Sequence, residues 1–454
     1  MSAQEYFRGK RIAVIGLGHN GAMVEDVKFL IKAGALVALY DLRSEARLKC
    51  HLVFLRSIGL ANYVCGSIPG EDLLDMDMII LSREYPRDSS FLKAVNERNF
   101  SVAAGGSKAE EEPMIPVEYP ETLFFRRSPP VVVVGLIGQC GKSTVASLLA
   151  PMLESACAKT EGQGFFAVDP ESGDGLLANL KKIRNGDIVL MKFDESVIAE
   201  LHRIRISPQV AVFASMPDSS PGIEPFEVLD FQTYNNFIIA SDEIIDRIHS
   251  LRIQPKAKML RTKASIIPEE WKFAAKGVHD LENAALAVQT ARLFKVGDDE
   301  AEKILSSWKP LKGRIESVKK VRGVEYLNDS ASVKPCSTMK SLETVGRDRR
   351  VILILGGSRG NGHYDYRPLY ESLPKSVGAL ILLPGSGTIS QRKAIASIEG
   401  LEIKSAPSIE EAVRLAAETA KKGDVVLFSP GFEAVADGSR KERGERFVRA
   451  VRGL

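Results

Sequence analysis

The sequence has few cysteines and almost no net charge, and both shortages exclude classes of protein. Its 454 residues contain five cysteines, which are scattered and include no Cys-x-x-Cys pair. An odd, dispersed set predicts neither a disulfide framework nor a zinc site and is typical of a reducing compartment. The formal net charge is only +3, which provides no electrostatic footprint for nucleic acid. We therefore expect no nucleic-acid partner.

Long apolar runs are missing as well. No run approaches the roughly 20 apolar residues that a membrane helix needs, and the start, MSAQEYFRGKRIAVIGLG, lacks the hydrophobic region of a secretory signal. We expect a cytoplasmic protein without a membrane partner. Hydrophobic residues make up 44% and charged residues 26% of the chain, as in ordinary soluble proteins. The length exceeds what one hydrophobic core normally holds.

Strand-like and helical segments alternate along the whole chain, which favours parallel sheets with helical crossovers. At the start, the pattern predicts a strand at Arg11–Leu17, a helix at Gly21–Ala33 and a strand at Leu36–Asp41. Further strand-like runs follow at MDMIILS and FSVAAGG, before a charged, proline-rich stretch that suggests a boundary. We predict an α/β fold of three domains. These are a Rossmann-like domain at residues 1–112, a parallel-sheet domain of the P-loop ATPase type at 113–308, and a second Rossmann-like domain at 309–454.

A phosphate loop is predicted within VVVVGLIGQCGKSTVASLLAPML, from Val131 to Leu153. The glycines let backbone N–H groups approach phosphate oxygens, and the start of the following helix adds partial positive charge. Lys142 would reach the β- and γ-phosphates, and the hydroxyl of Ser143 would ligate Mg²⁺. Leu136 stands where the general motif has its first glycine, so a chance glycine-rich turn is the alternative. The predicted ATP-binding residues of this loop are Gly138, Gln139, Cys140, Gly141, Lys142, Ser143 and Thr144.

A second glycine-rich loop lies near the start of the chain. Gly16-Leu-Gly18-His-Asn-Gly21 matches the dinucleotide pattern, and Asp41 closes the next predicted strand. The pattern is weak alone. It fits an NAD oxidoreductase, and it also fits a tight turn without a ligand. Neither reading explains the phosphate loop in the middle of the chain.

Two nucleotide-type loops in successive α/β domains, followed by a third such domain, resemble the Mur ligases. The resemblance covers essentially the whole chain. The segments that carry it are, in order, GLGHNG…DLRS, GLIGQCGKST, GVHDLENAALA, LKGRIESV, YLNDSASVKP, LILGGSRG, LFSPG and ERGERF. Within that family, the chain is most similar to the ligases that add D-glutamate to UDP-N-acetylmuramoyl-L-alanine.

The resemblance implies a reaction and its participants. ATP would phosphorylate the carboxylate of UDP-N-acetylmuramoyl-L-alanine to an acyl-phosphate, and the amine of D-glutamate would attack it, forming an amide in peptidoglycan precursor synthesis. Two anions must then meet, so Mg²⁺, a lysine and helix-end amides must neutralise charge at the γ-phosphate. The expected cofactors are ATP and Mg²⁺, the partners are small molecules, and the expected state is a monomer.

The resemblance also implies roles for individual residues. The third domain would bring Arg314 and Asp329 onto the nucleotide, so that domain closure assembles the site. The implied uridine-nucleotide residues are Gly18, His19, Asn20, Asp41 and Arg43. The implied catalytic residues are Lys142 and His279. The implied ATP contacts outside the loop are Asn283, Arg314 and Asp329. The implied metal ligands are Ser143 and Glu200, and the implied amino-acid contact is Lys334.

Departures from the family pattern concentrate at the second metal and at the amino-acid end of the site. No lysine lies between Lys192 and Lys256, where the family has one that helps to hold a second Mg²⁺. Ala331 replaces the lysine that meets D-glutamate, and Ala434 replaces a serine. A different amino-acid substrate and a non-catalytic nucleotide-binding relative are therefore alternatives. A ligase of the folylpolyglutamate type is another, although the glycine-rich loop of the first domain disfavours it.

Overall fold

A computed structural model describes residues 3–18, 21–104, 113–168, 175–216, 224–274, 277–347, 349–360, 364–434 and 440–454. Within them, three sheets follow one another along the chain, two of them wholly parallel and the third parallel except at one edge. This arrangement confirms the predicted α/β class. Among the described residues, no helix combines the length and apolarity needed to cross a bilayer.

The first sheet has five parallel strands in the order β3-β2-β1-β4-β5. Its strands are β1 Arg11–Ile15, β2 Leu36–Asp41, β3 Asn62–Cys65, β4 Met78–Leu81 and β5 Val117–Glu118, and its helices are α1 Ala3–Phe7, α2 Val24–Lys32, α3 Glu45–Ser57 and α4 Lys93–Ala103. Strand β5 pairs with β4 although it follows the predicted boundary at residue 112. The predicted strand at FSVAAGG is wrong, because its first four residues end α4.

The second sheet has six parallel strands in the order β11-β10-β9-β6-β8-β7. Its strands are β6 Val132–Ile137, β7 Phe165–Val168, β8 Ile188–Lys192, β9 Val210–Phe213, β10 Phe237–Ser241 and β11 Lys258–Thr262. The helices of this region are α5 Pro120–Arg127, α6 Lys142–Ala158, α7 Glu195–Arg203, α8 Asp242–Ser250, α9 Val278–Leu293 and α10 Asp298–Ser307.

The third sheet has six strands in the order β12-β13-β17-β14-β15-β16, with β12 and β13 antiparallel. Its strands are β12 Glu316–Val321, β13 Val324–Asn328, β14 Val351–Gly356, β15 Val377–Leu383, β16 Glu402–Ser405 and β17 Val425–Phe428. Its helices are α11 Pro335–Val345, α12 Arg367–Ser376, α13 Ser386–Ser390, α14 Arg392–Ala396, α15 Ile409–Thr419 and α16 Arg440–Arg452.

Central strands of the sheets are buried on both faces, which explains their continuous apolar runs. Every residue of β14 is buried, as are the last five residues of β6. Strand β1 lies between β2 and β4, and β6 lies between β8 and β9, so the chain changes direction across each sheet at these strands. Ligands of open α/β sheets bind beyond the carboxyl ends of strands at such switch points. Both glycine-rich loops therefore occupy the expected ligand crevices.

Candidate functional site

The backbone of the central loop requires its glycines. Gly138 and Gly141 have φ angles of +124° and +89°, which residues with a side chain rarely adopt. A Cβ added to Gly138 would lie 2.9 Å from the carbonyl oxygen of Ala214, and one added to Gly141 would lie 2.5 Å from Oδ1 of Asn283. The loop thus packs tightly between the end of β9 and helix α9, and predicted residue Asn283 lies directly against it.

Nitrogen donors gather where this loop meets α6. The backbone N–H groups of Gln139 and Cys140 each donate to the carbonyl of Ser215 at 3.2 Å. The ammonium of Lys142 donates to the carbonyl of Gly138, and Ser143 follows it in the first turn of the helix. Amides, a lysine and a helix start are the groups that phosphate oxygens require. The loop therefore fits the phosphates of ATP.

One carboxylate beside this loop escaped the sequence analysis. Asp194 starts α7, where its Oδ1 accepts from the backbone N–H of Val197 at 3.0 Å, and its Oδ2 accepts from Arg83 of the first domain at 2.8 Å. Burial opposes ionisation, but the charges of Arg83 and Lys142, together with hydrogen bonds, hold the pKa of Asp194 below its ordinary value. Asp194 therefore carries a negative charge near the loop lysine. Its position just after the buried strand β8 is the sequence signal that could have identified it.

Glu200 has a different set of partners. Its Oε1 accepts from Nε of Arg87 at 2.7 Å, and its Oε2 accepts from Arg87 at 2.8 Å and from Arg203 at 2.9 Å. Both carboxylate oxygens thus bind guanidinium groups, and the geometry gives no support to the predicted metal role. Across the described ranges, no three His, Cys, Asp or Glu side chains cluster as a metal site. The hydroxyl of Ser143, next to Lys142 in the first turn of α6, is an oxygen donor of the kind that suits Mg²⁺.

His279 lies at the start of α9 and contacts the C-terminal domain rather than the loop glycines. Its Nε2 is 2.9 Å from Oε2 of Glu343 on α11, and its Nδ1 is 3.4 Å from Oε2 of Glu282. The hydrogen bond with Glu282 raises the pKa of His279, burial opposes this, and Glu343 adds to the increase. The predicted catalytic histidine is therefore part of a contact between two domains.

The loop at the start of the chain is organised by one buried carboxylate. Oδ2 of Asp41 accepts from the backbone N–H of Leu17 at 3.0 Å and from Nη2 of Arg43 at 2.6 Å. Arg43 also donates to the carbonyl of Gly18 at 3.2 Å. Burial would raise the pKa of Asp41, but the hydrogen bonds from Arg43 and Leu17 hold it below its ordinary value. The structure thus unites Gly18, Asp41 and Arg43, whereas His19 and Asn20 lie outside the described residues.

A tyrosine closes one side of that loop and was not identified from the sequence. A Cβ added to Gly16 would lie 2.5 Å from Cε2 of Tyr85, whose hydroxyl accepts from the backbone N–H of Leu42 at 3.4 Å. Tyr85 follows β4, the neighbour of β1. The carboxyl ends of parallel neighbours lie at the same edge, so a polar aromatic residue after β4 was the available signal.

In the third domain, Asp329 is almost fully buried. Its Oδ2 accepts from the hydroxyl of Ser429 at 2.7 Å, and its Oδ1 accepts from the backbone N–H of Ile315 at 3.2 Å. Burial raises the pKa of Asp329, although hydrogen bonds with serines and the charge of Arg314 oppose the increase. Asp329 thus anchors the segment that enters the domain. The predicted amino-acid contact, Lys334, precedes α11, with its ammonium 5.4 Å from the ring centre of Tyr364.

The expectation that the cysteines form no disulfide is wrong for two of them. Cys140 of the central loop and Cys336 of α11 are joined, although 196 residues separate them. Cys50, Cys65 and Cys157 are free. The bond places the start of α11 over the predicted ATP loop, so two of the predicted domains meet at this site.

Comparison with known proteins identifies relatives of the whole chain. Residues 313–432 match the family model described as "Mur ligase, glutamate ligase domain". The chain is 27% identical to the UDP-N-acetylmuramoylalanine--D-glutamate ligase of Clostridioides difficile, over 93% of this chain and 94% of that protein. It is 26% identical to the protein of the same name from Geotalea daltonii, over 98% of each.

Solved structures share the fold at lower sequence identity. The murein peptide ligase of Psychrobacter arcticus superposes with a TM-score of 0.58 at 13% identity, covering 98% of this chain and 99% of that one. The MurF ligase of Thermotoga maritima, solved in complex with ADP, superposes with a TM-score of 0.53 at 16% identity, covering 98% of this chain and 95% of that one. These comparisons confirm the predicted resemblance to the Mur ligases and the α/β fold of three domains that it implies.

Proposed function

We propose, on the premise that this chain is a protein of the Mur ligase type, that it joins D-glutamate to UDP-N-acetylmuramoyl-L-alanine with ATP. Mur ligases are ATP-dependent amide ligases. One observation carries the proposal: two glycine-rich loops lie at the switch points of two successive parallel sheets. A protein that uses a nucleotide-linked substrate together with ATP needs two such loops, one for each nucleotide. The names of the full-length relatives supply the particular substrate.

The first loop is proposed to hold the uridine nucleotide. Because Gly18 has no side chain, the nucleotide can approach its backbone closely. The guanidinium of Arg43, which pairs with Asp41, provides a cation beside Gly18. His19 and Asn20 complete the proposed set. An NAD oxidoreductase would use this loop alone, so the phosphate loop at Gly138–Thr144 would have no role in it. For this reason the ligase is favoured.

The central loop is proposed to hold ATP. The amides of Gln139 to Gly141 and the ammonium of Lys142 would stabilise the negative charge that develops as the substrate carboxylate attacks the γ-phosphate. Bound Mg²⁺ would supply further charge neutralisation, with the hydroxyl of Ser143 as its protein ligand. Asp194 interacts electrostatically with Lys142, whereas Glu200 pairs with Arg87 and Arg203. Asp194 is therefore proposed, in preference to Glu200, as the carboxylate that acts beside the ATP loop.

The amino-acid end is proposed to use Lys334. D-Glutamate presents carboxylates, and the family lysine is replaced here by Ala331. Lys334 is three residues further along the same segment and immediately precedes the helix that lies over the ATP loop. A charge-assisted hydrogen bond contributes about 1.5–3 kcal/mol, so losing it should raise the Michaelis constant for the amino acid about 10- to 100-fold.

The deciding experiment measures phosphate release and amide formation with ATP, UDP-N-acetylmuramoyl-L-alanine and a panel of amino acids. D-Glutamate should be consumed fastest. Lys334→Ala should raise its Michaelis constant, Ala331→Lys should lower it, and Lys375→Ala, which removes a lysine at the end of α12, should change neither. Faster use of another amino acid would overturn the D-glutamate assignment. Release of no phosphate with any acceptor would favour a non-catalytic nucleotide-binding protein.

We further propose that the protein works as a monomer in the cytoplasm, within peptidoglycan precursor synthesis and hence cell shape and division. Size-exclusion chromatography with light scattering tests the monomer, which predicts a mass near the 49.6 kDa of the chain.

A further inference from the structure

The bond between Cys140 and Cys336 joins the predicted ATP loop to the C-terminal domain. Cys140 lies at the crest of the ATP loop, immediately before Gly141 and Lys142. Cys336 is the second residue of α11, in the C-terminal domain. The Cα atoms are 7.0 Å apart, and the side chains are only 6% and 8% exposed. Ser337 also contacts the loop, with its Oγ 3.4 Å from Sγ of Cys140.

We propose that Cys140 and Cys336 form a site of reversible thiol oxidation that ties the ATP loop to the C-terminal domain and stops turnover. The oxidant is a small-molecule disulfide. The formation of this bond does not depend on which substrate the protein uses. Its effect on turnover rests on the ligase activity proposed above.

The chemistry is thiol–disulfide exchange. The thiolate of one cysteine attacks the small disulfide, forming a mixed disulfide and releasing one thiol. The thiolate of the second cysteine then attacks the protein sulfur and releases the second thiol. In balance, two protein thiols and one disulfide yield the Cys140–Cys336 bond and two small thiols. The two protein sulfurs are oxidised, the two sulfurs of the reagent are reduced, and their protons pass to the released thiols.

The surroundings of the pair favour formation of the thiolate that this exchange needs. Cys140 immediately precedes the start of α6 and Cys336 lies in the first turn of α11, so both sulfurs lie at the positive end of a helix dipole, with Lys142 and Lys334 nearby in the sequence. Positive potential stabilises the thiolate, which is the attacking form. The free cysteines have other surroundings. Cys50 is exposed in the middle of α3, Cys65 ends β3, and Cys157 is buried near the end of α6, so none of them lies at the start of a helix.

The bonded state opposes catalysis because a covalent bond from the loop to α11 holds the C-terminal domain on the ATP site. Nucleotide exchange and product release require that domain to move away.

The test uses the full-length protein treated with oxidised glutathione and, separately, with dithiothreitol. Under denaturing conditions, the reduced protein should titrate five thiols and the oxidised protein three, because two of the five cysteines pair. Peptide mass mapping should recover the Cys140–Cys336 peptide. ATP turnover should fall at least about 10-fold on oxidation and return with dithiothreitol.

Two variants make the outcome decisive. Cys336→Ser should keep the basal turnover and become insensitive to oxidised glutathione. Cys157→Ser, which removes a buried free cysteine of α6, should remain as sensitive as the wild type. Five titratable thiols after oxidation, or glutathione bound to Cys336 without the cross-link, would overturn the site. If the cross-linked protein turns over ATP at the unchanged rate, the bond does not stop catalysis. The same conclusion follows if oxidised glutathione inactivates Cys336→Ser as strongly as the wild type. A reduced protein without ATP turnover would instead contradict the proposed function, because thiol titration does not depend on activity.

Discussion

The junction between the first and second domains differs in construction from the junction between the second and third. At the first junction, the buried carboxylate of Asp26 on α2 accepts from the backbone N–H groups of Leu177 and Ala178 at 2.7 and 3.2 Å, at the start of a short 3-10 helix. Arg83 adds ion pairs to Glu121 and Asp194 at 2.6 and 2.8 Å. These contacts are partly or fully buried.

Among the described residues, the second junction is held by a covalent bond and by a partly exposed pair of side chains. It contains the Cys140–Cys336 bond and the pair of His279 with Glu343, whose side chains are 31% and 58% exposed. The segment that crosses it includes Gly313 and Ile315, with φ angles of +70° and +45°. A β-branched residue in the left-handed region is strained. Strain of this kind is a feature of hinges and active sites.

The comparison indicates which part of the molecule moves. Breaking a buried ion pair leaves an uncompensated charge, so the first junction is costly to open and fixes the uridine-nucleotide loop relative to the ATP loop. Exposed pairs contribute little and are screened by water. We therefore expect the C-terminal domain to move once the Cys140–Cys336 bond is reduced. The following changes test this difference between the junctions, beginning with the ATP loop.

Replacing Lys142 with alanine should have the largest effect. The variant loses the only side-chain cation of the predicted phosphate loop, and removal of one group that stabilises developing charge lowers turnover by about 10²–10³-fold. Turnover is measured as phosphate release. The control is Lys159→Ala at the other end of α6, where the lysine pairs with Glu300 on the surface. Wild-type turnover in Lys142→Ala would show that the site is misassigned.

Replacing Arg83 with alanine should weaken the first junction. Its partner Glu121 has a side chain only 4% exposed, and removing one partner of a buried pair costs about 3–5 kcal/mol. The free energy of unfolding is measured in urea. Arg11→Ala is the matched control, because its pair with Asp77 is exposed at 53% and 41%, and little change is expected there. Equal effects of the two variants would contradict the assignment of a fixed first junction.

Much of this architecture could be predicted from the sequence. Apolar runs such as VILIL and VVVV mark strands buried on both faces, and glycines directly after them mark the switch-point loops. Asp41 and Arg43 are only two residues apart, so the sequence alone places their side chains close enough to pair. The predicted strand at FSVAAGG failed because a short apolar run does not distinguish a strand from a helix.

The parts that could not be predicted depend on contacts between distant segments. Cys140 and Cys336 are adjacent only because α11 starts over the ATP loop. Glu200 was a reasonable metal ligand by type, but Arg87 of the first domain occupies its oxygens. Asp194 is paired with Arg83 only because the first and second domains dock together. Such pairings follow from how the domains dock, and no local pattern encodes that.

The pH dependence of the first junction should depend on Asp26. Burial raises the pKa of Asp26 to about 7, although the backbone N–H groups of Ala178 and Leu177 oppose the increase. A carboxyl group with a raised pKa binds its proton more tightly in the folded state. Its stabilisation is therefore complete below the ordinary pKa and is lost as the pH rises to about 7, at up to about 1.4 kcal/mol per pH unit.

Asp26→Asn tests this directly, because the amide oxygen still accepts from Leu177 and carries no charge. Relative to the wild type, the variant should gain stability between pH 5 and pH 8, measured by urea unfolding at each pH. Glu25→Gln is the control, since Glu25 forms a partly exposed pair with Lys28 on the same helix. A parallel pH dependence in Asp26→Asn and the wild type would show that Asp26 does not titrate in this range.

The smallest effect is expected from Glu343→Gln at the second junction. Hydrogen bonding to Glu282 raises the pKa of His279, burial opposes this, and Glu343 contributes further. The pair is thus fully formed below the ordinary histidine pKa and is lost as the pH rises through the raised value. An exposed pair contributes at most about 1 kcal/mol, so we expect Glu343→Gln to raise the Michaelis constant for ATP about two- to threefold at pH 6 and not at pH 9. The surface variant Glu371→Gln on α12 should be neutral at both. An equal increase at pH 6 and pH 9 would mean that Glu343 acts on closure without the charge of His279.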